Sequence, residues 1–154
     1  MAGAKILVVA NKHSVIKRIE AFLLQEGYTV LMALGGEEGI RLVAEEAPDV
    51  VLLEEMSSQV TGLDVLNALK ERAIPARVVI MTARYDPLMF MGQFIRGGAC
   101  AFLGKPFQPA DLVAVVEQVL ALRPDVNLYL GQTPPIMEDL LARVEKIWEA
   151  ATTQ

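Results

Sequence analysis

One cysteine, one histidine and one tryptophan stand in a chain of 154 residues, and each scarcity closes off a class of chemistry. Cys100 has no partner for an internal disulfide and sits among apolar neighbours, so it is expected as a buried thiol in a reducing cytoplasm. His13, between Lys12 and Ser14, has no second imidazole to share a metal and is expected as a solvated residue at a helix start. No apolar run approaches the roughly 20 residues that span a bilayer. The opening MAGAKILVVA is too short and lacks the small-residue cleavage flank of a signal peptide, so no membrane association is expected. Cationic charge is also in deficit: 14 Lys and Arg against 19 Asp and Glu leave a formal net charge of −5. That balance opposes a broad nucleic-acid surface. The chain contains no GxxxxGK[ST] segment, which excludes ATP hydrolysis by that route.

What remains is a globular composition, 53% hydrophobic and 21% charged, at the length of one domain. Short apolar runs alternate with longer helical periodicities. Ile6–Val9 reads as a buried strand, followed by a helix whose apolar face is Val15, Ile16, Ile19, Phe22 and Leu23, stopping at Gly27. Tyr28–Met32 is the second strand, and Gly35-Gly36 turns into a helix with Ile40, Val43 and Ala44 inward. Val50–Leu53, Val78–Met81 and Ala101–Leu103 are the remaining strands. Leu63, Leu66 and Leu69 mark the third helix, Pro87 starts the fourth, and Leu112, Val115, Val116, Val119 and Leu120 line the fifth. Five βα units are too few for an eight-unit barrel. They predict an α/β fold, an open doubly wound parallel sheet with strand order 2-1-3-4-5.

The same pattern divides the chain into a domain over 1–123 and a linker with an amphipathic helix over 124–154. In the second part Thr133-Pro134-Pro135 has helix-start chemistry. Ile136, Met137, Leu140, Leu141, Val144, Ile147 and Trp148 then form a wide apolar stripe that needs a covering surface.

A parallel open sheet binds its ligands beyond the carboxyl ends of its strands, which directs attention to Ala10, Asn11 and Lys12, Glu54 and Glu55, Thr82, Gly104 and Lys105. Here ILVVANK, PDVVLLEEMSSQVTG, VVIMTAR and GGACAFLGKPF together resemble, in order and spacing, the receiver domains of two-component response regulators, over residues 4 to 122. The resemblance implies a flavodoxin-like sheet. It also implies an acidic pair after the first strand that holds Mg²⁺, an aspartate after the third that takes a phosphoryl group, and a Thr or Ser and a Lys that contact the phosphoryl oxygens. The matching positions are Ala10 and Asn11 for the acidic pair, Glu54 for the acceptor, and Thr82 and Lys105 for the last two. Phe102 matches the aromatic that reports the family's switch state, and Lys105-Pro106 its Lys-Pro step, whose peptide is commonly cis.

The departures bear on chemistry. Mg²⁺ asks for several oxygen ligands in near-octahedral geometry, usually including one or two carboxylates. Ala10 offers none, Asn11 one neutral carbonyl, and Lys12 brings a positive charge to the place of a cation. Glutamate for aspartate moves the acceptor oxygen outward, and a misplacement near 1 Å costs on the order of 10²-fold in rate. The sequence therefore predicts no metal, no cofactor and no enzymatic activity. Two readings of Glu54 stay open: a tolerated acid at a strand end, or a partner of Lys105 in the space a metal and phosphoryl group would fill, with Thr82 nearby.

Two apolar regions are candidates for protein contacts. Met89, Phe90, Met91 and Phe94 belong to a segment apolar on all sides, expected to expose a patch on the face of the fourth helix, fifth strand and fifth helix. Trp148 lies on the tail helix, and either surface suits a homodimer. The tail also faintly resembles the entry to the ATPase domain of activators serving the alternative sigma factor. The leading expectation is a phosphorylation-independent pseudo-receiver acting through protein partners in bacterial signalling or transcriptional regulation. Its rivals are a working receiver phosphorylated by a histidine kinase, the N-terminal input domain of a larger transcriptional activator, a flavodoxin-like cofactor binder and a DNA-binding regulator. The cofactor binder is opposed by the absence of glycine from Asn11-Lys12-His13-Ser14, and the DNA binder by the acidic balance.

Overall fold

The computed structural model describes residues 3–55, 60–83 and 92–121. In chain order the elements are β1 (Lys5–Ala10), α1 (His13–Gln25), β2 (Thr29–Leu34), α2 (Gly36–Glu46), β3 (Val50–Glu54), α3 (Gly62–Glu71), β4 (Val78–Thr82), α4 (Gly92–Gly97), β5 (Ala99–Gly104) and α5 (Pro109–Leu120). All strand pairs are parallel and the order is β2-β1-β3-β4-β5, as the five βα units predict. The expected tail helix, its Trp148, the Pro87 helix start, and Met89, Phe90 and Met91 lie outside the described residues.

The three central strands are buried on both faces, which is why they read as continuous apolar runs rather than alternations. Alternate residues feed two cores. Ile6, Val8, Ala10, Val50, Leu52, Val79, Met81, Cys100 and Leu103 pack with Ile16, Ile19 and Leu23 of α1 and Leu112, Val116 and Val119 of α5. Leu7, Val9, Val51, Leu53, Val78 and Ile80 pack with Val43 of α2, Val65, Leu66 and Leu69 of α3, and Phe94 of α4. The result is a three-layer sandwich whose strands all end at one edge.

Local chemistry sets the helix starts. Thr61 and Asp64 form a reciprocal capping box on α3: Asp64 N–H donates to Thr61 Oγ1 at 3.2 Å and Thr61 N–H to Asp64 Oδ2 at 2.9 Å. At α5, Pro109 occupies the first turn and Asp111 accepts from the Gln108 N–H at 3.0 Å. Gly35 precedes α2 with φ +102°, in the region that favours glycine.

Three expectations need correction. Ala44 is exposed, not inward, because the buried line of α2 is Gly36, Gly39 and Val43. Gly39 presses on Val9, which turns the next position after Val43 about 100° away. β2 starts and ends later than Tyr28–Met32, and β5 is longer than Ala101–Leu103. The β5 pattern is masked by an irregularity in the β4–β5 register, where Val78 pairs with Ala99 and Val79 with Ala101, so that Cys100 is passed over.

Candidate functional site

The register brings the strand ends together. Val9 pairs with Leu53, which sets Ala10 level with Glu54; Glu54 pairs with Met81, and Thr82 with Gly104. Lys105 follows at once, its N–H donating to the Thr82 carbonyl at 2.8 Å, and its peptide bond to Pro106 is cis. Ala10, Glu54, Thr82 and Lys105 are thus gathered at one edge, with Asn11 and Lys12 exposed at the start of α1.

Glu54 and Thr82 are the buried polar residues among the described ones. The Glu54 carboxylate lies inside the crevice, only 8% exposed, and its Oε1 is 3.2 Å from Lys105 Nζ. Its Oε2 is buried and has no hydrogen-bond partner. Thr82 does not join this pair: its hydroxyl donates to Glu55 Oε2 at 3.2 Å. The two consecutive glutamates therefore take different partners, because successive residues at a strand end point to opposite sides. Glu55 as the partner of Thr82 is the contact sequence reasoning missed. The Glu-Glu doublet at the end of an apolar run was its only signal. Gly62, the first residue of α3, closes the floor; a Cβ there would lie 3.1 Å from the Glu54 carbonyl oxygen.

Phe102 is half-buried on β5, edge-on to Phe94 with ring centroids 6.4 Å apart and an interplanar angle of 85°. This corrects the placement of Phe94. Expected on an exposed face, it is 3% exposed and belongs to the α2–α3–α4 core, because the turn of α4 that carries it faces the sheet.

A family description, the response regulator receiver domain, matches residues 6–117. The chain belongs to that family. Among curated relatives it is 31% identical over 115 residues to the uncharacterised transcriptional regulatory protein YcbL of Bacillus subtilis, covering 74% of this chain and 50% of YcbL. It is 29% identical to the sporulation initiation phosphotransferase F of the same organism, covering 80% of this chain and 98% of that one. The chain spans about half the length of YcbL and other transcriptional regulators that it matches. The solved chemotaxis protein CheY4 of Vibrio cholerae shares the fold, with a TM-score of 0.72 at 24% identity over 77% of this chain and 99% of CheY4.

For this receiver the family's Mg²⁺ can be tested against the donors present. Ala10, fully buried, contributes a methyl group, and Asn11 is a neutral amide. Glu54 has one oxygen committed to Lys105, and Glu55 one committed to Thr82. Among the described residues no cluster of three or more His, Cys, Asp or Glu side chains could hold a metal ion. Such a donor set does not fit a hard cation that asks for several oxygens. Among the described residues no helix is long and apolar enough to cross a membrane.

Proposed function

We propose that this receiver works without phosphorylation, as a pseudo-receiver: a cytoplasmic protein-interaction module in bacterial signal transduction or transcriptional regulation. The observation that carries this reading is the 3.2 Å ion pair between Glu54 and Lys105. It occupies the crevice with a carboxylate and its counter-charge already joined, and the longer glutamate side chain partly imitates a phosphorylated aspartate. Neither cofactor nor metal is part of the reading. Its partners are proteins, a second copy included, met through the face of α4, β5 and α5 or through the amphipathic segment expected over 124–154 with Trp148. Met89, Phe90 and Met91 stay candidates from the sequence alone, and direct DNA contact by this domain is not part of the reading. The half-length coverage of transcriptional regulators supports a place as the input part of a larger protein.

A second reading has its own observation. Thr82 and Lys105 both flank the crevice, and Glu54 Oε2 carries no partner, as an acceptor oxygen of a working receiver would require. Amide NMR separates the two. The chain is titrated with Mg²⁺, then with Mg²⁺ and beryllofluoride, which imitates an acyl phosphate. Resonances around Glu54, Thr82 and Lys105 are expected to stay in place at millimolar Mg²⁺. Shifts there, with Phe102 changing environment alongside, would overturn the phosphorylation-independent reading in favour of a receiver served by a histidine kinase.

A further inference from the structure

We infer that Lys12 is a tethered counter-ion for Glu54, so that the crevice is charge-balanced by the chain itself and repels a divalent cation. The inference rests on the phosphorylation-independent reading and assigns a residue to it. Its starting point is the Glu54 Oε2 atom, buried and without a hydrogen-bond partner while Lys105 engages only Oε1. Buried carboxylate oxygens rarely go unmatched, because the charge they carry has lost its water.

Lys12 is in reach. Ala10 is level with Glu54 on the neighbouring strand, about 4.8 Å away at ordinary strand spacing. Two further residues span at most about 7 Å, and a lysine ammonium travels on a flexible four-carbon stem. Lys12 is exposed, makes no side-chain cap, and has no ion-pair partner among the described residues.

Its position is otherwise unfavourable. Lys12 is the N-cap of α1, whose first turn contains no acid, whereas α2, α3 and α5 begin with Glu37 and Glu38, Asp64 and Asp111. A cation at a helix N-terminus opposes the positive end of the dipole. The buried Glu54 carboxylate supplies the compensation that α1 lacks. With Lys12 included, the charges of Glu54 and Glu55 are matched by those of Lys105 and Lys12; a divalent ion added to these four would leave them with an excess of two positive charges.

The test uses Mn²⁺ as the probe and the paramagnetic broadening of amide resonances as the readout. Asn11 and Lys12 are both exposed, so substitutions there leave the core intact. Asn11→Asp adds a third carboxylate beside Glu54 and Glu55. Broadening around Glu54 and Thr82 is expected to require about tenfold less Mn²⁺ in Asn11→Asp/Lys12→Met than in Asn11→Asp alone. Lys17→Met in the Asn11→Asp background, which removes a charge paired with Glu20 one turn further along α1, is expected to change the affinity less than twofold. Equal affinity with and without Lys12, or an equal gain from Lys17→Met, overturns the counter-ion assignment while leaving the parent reading standing. Site-specific broadening in the unaltered protein overturns that reading and the assignment with it.

Discussion

Thr82 Oγ1 lies 3.2 Å from Glu55 Oε2, so the hydroxyl at the end of β4 is held by the second glutamate of the doublet while Lys105 holds the first. Each side of the crevice has its own pair, and removing a single partner tests each separately.

Lys105→Met leaves the Glu54 carboxylate in the crevice without its ammonium. Breaking a buried pair from one side costs about 3–5 kcal/mol, and the partial exposure of Lys105, 29% for its side chain, brings the expectation down to about 2–3 kcal/mol. Glu54→Leu combined with Lys105→Met is expected to recover most of that loss, since a well-packed apolar replacement carries no desolvated charge. Urea denaturation of the two variants checks the difference. A double variant as unstable as Lys105→Met alone would show that the loss is one of packing.

Thr82→Val keeps the shape of the side chain and deletes the donor to Glu55. A hydrogen bond to a charged acceptor contributes about 1.5–3 kcal/mol, and the part-buried setting of this one places the expected loss near the lower figure. The change should appear in the denaturation midpoint with an unaltered m-value.

Gly39→Ala is expected to destabilise by about 1–3 kcal/mol through overpacking. A Cβ there would stand 2.9 Å from Cγ1 and 3.0 Å from Cγ2 of Val9, a fully buried strand residue with no room to retreat. Gly39→Ala/Val9→Ala should regain part of the loss, because the collision disappears. If the two substitutions simply add, the helix does not lie against β1 as described.

Burial pushes the Cys100 thiol from 9.0 up to about 12, outweighing the hydrogen bond at the Val78 backbone and the Arg77 charge that both pull it down. The unfolded chain therefore releases this proton before the folded one does. Stability tied to the thiol is complete below about pH 9, falls as pH rises, and is gone above about pH 12. Cys100→Val should remove that alkaline slope, which reaches about 1.4 kcal/mol per pH unit at most. Iodoacetamide at pH 8 should label the folded protein far more slowly than the urea-unfolded chain, read by mass spectrometry.

Much of this molecule is legible in one dimension. Ile6–Val9, Val50–Leu53 and Val78–Met81 announce themselves because a strand covered on both faces has no polar position to spare. The β5 strand and the inner line of α2 were harder. In β5 the skipped pairing at Cys100 breaks the alternation. In α2 the residue nearest the sheet is Gly39, which carries no hydrophobic signal at all. Phe94 shows the same limit from the other side: an apolar segment states that something will be covered but not which of its aromatics turns inward.

The periodicity of the chain dictated five βα repeats, their parallel assembly in the order 2-1-3-4-5, and hence the edge at which residues 10, 54, 82 and 105 must meet. Spacing alone could also propose that Glu54 meets Lys105, since both follow strand ends at that edge. Tertiary structure decided the rest. Glu54 and Glu55 are chemically identical neighbours, and only the direction each takes as it leaves β3 gives Lys105 to one and Thr82 to the other. The unpartnered Oε2 atom follows from the same cause: burial is a property of the packed layers, and nothing in a single sequence position records it.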